Sequence, residues 1–140
     1  MAGLPLNTFR TVHNIVQSYS IFAAPPPANC LVYTVPQGIT SILILCQVAN
    51  VDYVDSSPSN IHDVTMWHVQ DPSNQSNQTL YPYNPLLITI VQNYMVPPND
   101  SANLIPGRLV MQTNDQLYVG STTTSQYLQF TASIIETANQ

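Results

Sequence analysis

The residues of widest chemical repertoire in this chain are three histidines, two cysteines, seven acids and two arginines. His62 and His68 lie on one face of the extended stretch Ile61–Gln70. At ~3.3 Å per residue they stand about 20 Å apart, too far to share one metal ion. His13 reaches either of them only through tertiary contact, and all three read as surface or interface histidines. Asp52, Asp55, Asp63 and Asp71 gather around one loop as calcium ligands do, but Asp52-x-x-Asp55 lacks the glycine and closing glutamate of a dedicated loop. Asp52 and Asp55 read as solvating the turn, and Asp71 before Pro72 as turn chemistry. No G-x-S-x-G elbow marks a nucleophile, and Glu136 is the only glutamate, so a paired-carboxylate acid–base site has little support. Without lysine there is neither a Schiff base nor a P-loop. Cys30 and Cys46 lack the C-x-x-C spacing of a metal or redox motif; parity allows a bridge between them, and two small buried thiols is the favoured reading. The expectation is a non-enzymatic protein with no cofactor and no metal.

The elements around these residues are strands. Leu128, Phe130, Ala132 and Ile134 alternate with Gln129, Thr131 and Ser133, the pattern of a half-buried strand on a core. Pro97-Pro98-Asn99-Asp100 and Asn114-Asp115 are turn signals, the second placed to fold Leu109–Met111 and Leu117–Val119 into a hairpin. Leu31–Val35 stops at Pro36-Gln37-Gly38. Ile39–Asn50 is apolar on both faces, with Ile42, Ile44, Cys46 and Val48 on one and Ile39, Leu43, Leu45 and Ala49 on the other. Such a strand needs cover on both sides, here from the N-terminal segment or another subunit. Ile61–Gln70 and Leu86–Val96 are further strands, and Asp52–Asn60 and Asp71–Gln78 are polar loops. Short strands, frequent turns and 12 prolines predict an all-β single domain, a β-sandwich or jelly roll of about eight antiparallel strands. Residues 1–29 read as an extended N-terminal arm ending in the stiff Pro25-Pro26-Pro27 connector, its Phe9–Ile21 stretch compatible with an edge strand or an arm laid on a neighbour, and residues 30–140 as the sandwich.

Bulk composition narrows the partners. Charged residues are only 6% of the 140, and the net charge is −5. That excludes a nucleic-acid partner, because neutralising phosphates takes clustered Lys and Arg. Surface polarity must come from Asn, Gln, Ser, Thr and Tyr, which suits packing against other protein. No apolar run reaches the ~18 residues of a membrane-spanning helix, and no secretory signal is visible at Met1–Leu6. Of the eight tyrosines, Tyr81 and Tyr83 with Trp67 form a candidate stacking platform for sugar, weighed against the more general enrichment of tyrosine at protein interfaces. The residues expected to meet a partner are Phe9, Val12, Ile15, Tyr19, Pro25, Pro26, Pro27, Tyr81 and Tyr83.

Val32-Tyr33-Thr34-Val35-Pro36-Gln37-Gly38-Ile39-Thr40 resembles the YTVPAGKT opening of small β-sandwich virion proteins of tailed bacteriophages. Gln47-Val48-Ala49-Asn50-Val51-Asp52 is similar to the turn that follows in those proteins. Val96-Pro97-Pro98 and Asn103 to Leu117 resemble their later block, with Asn114 where the family has glycine before the aspartate. The likeness runs from about Leu31 to Thr137. It implies a structural part of the virion, made in the host cytoplasm. The expected role is a capsid decoration (cement) protein, often trimeric, whose partners are the major capsid protein and itself. The alternatives are a neck or tail accessory or fibre-attachment protein and, from another class, a carbohydrate-binding module.

Overall fold

The computed structural model describes residues 7–22, 26–52, 60–72, 87–123 and 126–139. Among them are ten strands and a single 3-10 turn at Ala28–Cys30. Two five-stranded sheets face each other across one core, a β-sandwich. The first sheet runs β1 (Asn7–Ile15), β10 (Leu128–Ala138), β4 (Ile39–Asn50) and then β7 (Asp100–Asn103), with β8 (Leu109–Met111) also on β4. β7 pairs with Gln47–Asn50 and β8 with Ser41–Leu43, so the two short strands share one edge of β4. In the second sheet β9 (Gln116–Ser121) lies beside β5 (His62–Val69), and β6 (Leu87–Val96) forms the far edge. β3 (Leu31–Thr34) and the two-residue β2 (Gln17–Ser18) share the other side of β9, β2 in parallel. The strand count is thus ten rather than eight, and this parallel pair departs from an all-antiparallel pattern.

The turns are where the sequence places them. Gly38, Asn99 and Asn114 take φ of 75°, 60° and 69°, a region open to glycine and tolerated by asparagine. Asn114 therefore stands in for glycine at a position that needs positive φ. The reversal at Asn114 does not make a hairpin, however. Asp115 N–H closes it onto the Gln112 carbonyl, but β8 goes on to pair with β4 and β9 with β5. The turn carries the chain from one sheet to the other, because Met111 and Leu117 both enter the core between them.

β4 departs from strict alternation. Ser133 pairs with Leu45 and Ile134 with Leu43, leaving Ile44 as an extra residue, a β-bulge. Ser41, Leu43, Cys46, Val48 and Asn50 therefore face inward, while Ile44 and Leu45 both face out. The two faces expected for this strand are exchanged at the bulge. The strand covered on both sides is β5, in which every residue from His62 to His68 is buried. Asn7–Ile15, within the stretch read as an edge strand or an arm, is the edge strand of the first sheet, in register with β10 throughout. Val16 is buried in the core.

Both histidines of β5 point the same way, as expected, but inward, at the two ends of the core face. His62 Nε2 lies 3.1 Å from Asp52 Oδ2, and His68 Nε2 lies 3.1 Å from Asp115 Oδ2, all four side chains buried. Surface positions for His62 and His68, and a solvated Asp52, are corrected by this pairing. A strand crossing a sandwich brings its ends to the rims, where a polar side chain stays buried only with a partner. Asp115 also accepts hydrogen bonds from the backbone N–H of Asp71 and of Gln112, at 2.8 and 3.0 Å. Replacing it with alanine removes the acceptor from these part-buried donors and from buried His68, at about 1–3 kcal/mol for each group left unsatisfied away from water. Asp115→Ala is expected to lower unfolding stability by roughly 3 kcal/mol or more, read from urea midpoints, with the slope unchanged.

Candidate functional site: an uncovered apolar sheet face

The side chains with chemical potential are taken up in the architecture. Asp63, on the outer side of β5, accepts from Ser121 Oγ at 3.2 Å and from Thr122 through both its N–H (3.1 Å) and its hydroxyl (2.7 Å). Tyr33, Ser41, Glu136 and Arg10 form one cluster between the sheets. The Tyr33 hydroxyl is 2.6 Å from Ser41 Oγ and donates to Glu136, and the Arg10 guanidinium sits 5.6 Å from the Tyr33 ring centre and 3.6 Å from Glu136. Burial first, then the hydrogen bond to the Glu136 carboxylate, push the Tyr33 phenol above its usual pKa. Among the described residues, no three His, Cys, Asp or Glu side chains come together as a metal set.

Cys30 and Cys46 are separate buried thiols. Cys46 packs in the main core, 3.4 Å from Met66 Sδ, whereas Cys30 belongs to a satellite cluster with Trp67 and Tyr118. Gly120 makes that cluster possible: a Cβ there would stand 2.7 Å from Cys30 Sγ and 2.8 Å from the Tyr19 ring. Tyr19 meets Trp67 edge-on at 5.1 Å and hydrogen-bonds Thr65. Trp67 itself is only 4% exposed, so its ring face is not offered to a sugar. A cleft of about 380 Å³ beside it is bordered by Thr65 and Asn93, which already hydrogen-bond one another.

The expected contact residues separate accordingly. Phe9 is 76% exposed, and Ile15, six residues further along the same face of β1, is exposed too. Val12 turns inward against the core, and Tyr19 packs on Trp67. Pro26 and Pro27 are half-buried, Pro27 accepting from the Cys30 N–H at 3.0 Å. Pro25, Tyr81 and Tyr83 lie outside the described residues.

The feature that residue types alone do not reveal is a row across the outer face of the first sheet. Phe9 pairs with Ile135, Ile135 with Ile42, and Ile42 with Val110, so the four side chains stand side by side on β1, β10, β4 and β8. Val110 is 55% exposed, and the bulge adds Ile44 at 40% and Leu45 at 37%. The face is nearly free of charge. Asp52, Asp63 and Asp115 are buried, Glu136 nearly so and Asp71 half-buried, which leaves Arg10, Arg108 and Asp100 as the exposed charged residues among those described. A contiguous apolar face on a charge-poor surface is the signature of a surface that packs against other protein. No protein-family model, curated protein or solved structure matches this chain.

The thiols generate a pH dependence. Burial pushes Cys30 up to about 11 and Cys46 up to about 12, from an ordinary value of 9.0. Above pH 9 the unfolded chain releases these protons while the folded chain holds them, so the folded state binds more protons and stability falls as pH rises. Urea midpoints should be level from pH 7 to about 8.5 and decline beyond pH 9. Both thiols should resist a disulfide reagent at pH 8 until the chain is unfolded.

Proposed function

We propose that this chain is a non-enzymatic structural protein of a tailed-phage virion, a capsid decoration (cement) protein that packs its outer apolar sheet face on the major capsid protein. The observation that carries this reading is the row Phe9–Ile135–Ile42–Val110 with Ile44 and Leu45: a side of the sandwich that nothing in the described chain covers. The turn-and-strand motifs around Val32–Thr40 and Val96–Leu117 support the virion assignment by resemblance. Work of this kind needs no chemistry. Burying subunit-spanning surface raises the cost of separating the shell, and the gain follows from binding the assembled state in preference to the separated one. A surface with few charges suits the task because little has to be desolvated without a partner. Self-association belongs to the same proposal.

The same face would serve a neck or tail accessory protein, and stoichiometry separates the two. Quantitative mass spectrometry of purified particles is expected to give hundreds of copies per virion; a few dozen or fewer would move the chain to the neck or tail, and none would refute the virion reading. Val110→Lys places a charge in the row at an exposed edge position. It should leave unfolding stability within about 0.5 kcal/mol and weaken capsid binding at least tenfold. Unchanged binding would remove this face from the proposal.

A further inference from the structure

Among the described residues the sandwich has four kinds of open strand edge, and one of them is long, regular and free of proline. β7 and β8 are short and are interrupted by Pro106-Gly107. β2 and β3 are short too, and β3 runs into Pro36. β6 is long, but its register against β5 shifts twice and Asn93 takes a φ of 51°, so the edge is bulged. Each of these is a device that discourages strand addition. β1 has none of them. Its nine residues, NTFRTVHNI, pair with β10 without a shift, and they contain no proline, glycine or lysine.

The hydrogen-bond phase of β1 says what that edge offers. Val16 N–H donates to the Leu128 carbonyl at 2.9 Å in continuation of the β1–β10 register. Antiparallel partners alternate between bonded and non-bonded pairs, so the even-numbered residues of β1 direct their backbone groups to β10. Asn7, Phe9, Thr11, His13 and Ile15 direct theirs outward; the Ile15 carbonyl is met by the Gln17 side chain at 3.2 Å. A two-fold axis at Thr11 sets Asn7 opposite Ile15, Phe9 opposite His13 and Thr11 opposite its own copy. Every outward residue then falls in a bonded pair. The one charged residue of the strand, Arg10, falls opposite Val12 and is turned inward to Glu136, so no like charges meet.

Side chains complete the match. Phe9 is the exposed knob of the strand, and a cleft of about 510 Å³ bordered by His13, Ile15, Gln129 and Thr131 opens on the same outer face. With Phe9 opposite His13, each copy brings its knob to the other's cleft. We infer that β1 pairs antiparallel with β1 of a second copy of this chain about a two-fold axis at Thr11, joining the two first sheets into one continuous sheet. Such an axis stands perpendicular to the sheet, so both apolar outer faces lie on the same side of the joined sheet. The inference rests on the edge geometry and is independent of whether a capsid is the partner. An isologous contact closes at two copies, so a three-fold assembly would not use it.

Light scattering with size exclusion on the full chain should report twice the 15.5 kDa chain mass. Thr11→Pro removes an outward N–H without touching the β1–β10 ladder, and should give a folded monomer. Thr11→Cys places two thiols at a bonded pair with Cα atoms ~5.5 Å apart, within disulfide range, and mild oxidation should yield a covalent dimer. Thr8→Cys should not cross-link, since the two copies of that residue stand about 20 Å apart across the axis. Cys30 and Cys46 are buried and do not compete. A monomeric wild-type chain, a three-copy particle, or an oligomer in which Thr11→Cys fails to cross-link would each overturn the pairing. The cross-link decides the matter even if Thr11→Pro does not fold. Because these are measurements on the isolated chain, their failure is distinguishable from a failure to bind capsids.

Discussion

The ladder between β4 and β10, with its one extra residue at Ile44, is the constraint from which the rest of the architecture follows. β10 pairs over Gln129–Thr137 with β1 and over Leu128–Ala138 with β4, so nearly its whole length is held on both sides. Its side chains keep a simple alternation, Leu128, Phe130, Ala132 and Ile134 inward, because its sequence alternates. β4 is apolar almost throughout and could have presented either face to the core. The bulge settles the question by putting Leu43 and Cys46 on the same side, two residues of the chain being taken up opposite one on β10. The inward set fills the space against Val64, Met66, Leu117 and Val119 of the second sheet. The outward set, Ile42, Ile44 and Leu45, meets no second layer among the described residues, and it joins Phe9, Ile135 and Val110 on the neighbouring strands. An apolar outer face is thus a by-product of the way the core closes.

Charge is used inside this protein more than on it. The two ends of the core face of β5 are closed by His62–Asp52 and His68–Asp115, Asp63 clamps the segment after β9, and Glu136 with Arg10, Tyr33 and Ser41 ties the sheets together near the end of β10. Apart from the half-exposed Arg10, each of these groups has lost water and found hydrogen bonds instead, the condition under which a buried polar side chain is tolerated. Carboxylates placed this way specify which turn meets which strand: Asp115 alone joins the Asn114 turn, the segment after β5 and the end of β5. The consequence at the surface is an amide, hydroxyl and apolar exterior with little charge to hold neighbouring protein away.

The apolar face and the open edge are parts of one surface. β1 supplies both the outward backbone groups and Phe9, the first residue of the apolar row, and it lies along the side of β10 that β4 leaves free. Association through the edge and packing through the face are therefore compatible: one uses backbone hydrogen bonds in the plane of the sheet, the other side chains perpendicular to it. That combination supports an assembly role more directly than either feature alone.

Much of this was readable from residue order. Alternation at Leu128–Ile134, the continuous apolar run at Ile39–Asn50, and the turn residues at Gly38, Asn99 and Asn114 determine an all-β chain with its strands in nearly the observed places, since side-chain periodicity and positive φ are local properties. Low charge and the missing lysine equally mark the character of the surface. What only the tertiary structure decided is everything that depends on which strand sits beside which. The Asn114 turn looks like a hairpin because its local chemistry is that of one, yet it crosses between sheets because Met111 and Leu117 are both drawn into the core. His62 and His68 look exposed until β5 is seen to be covered on both sides. The face of β4 that meets solvent could not be assigned from alternation, because one inserted residue exchanges the faces and a strand apolar on both sides carries no local sign of where that happens. Phe9 and Ile15 are legible as exposed apolar residues in a polar segment. The membership of Phe9 in one row with Ile135, Ile42 and Val110 exists only in the register, which long-range pairing sets.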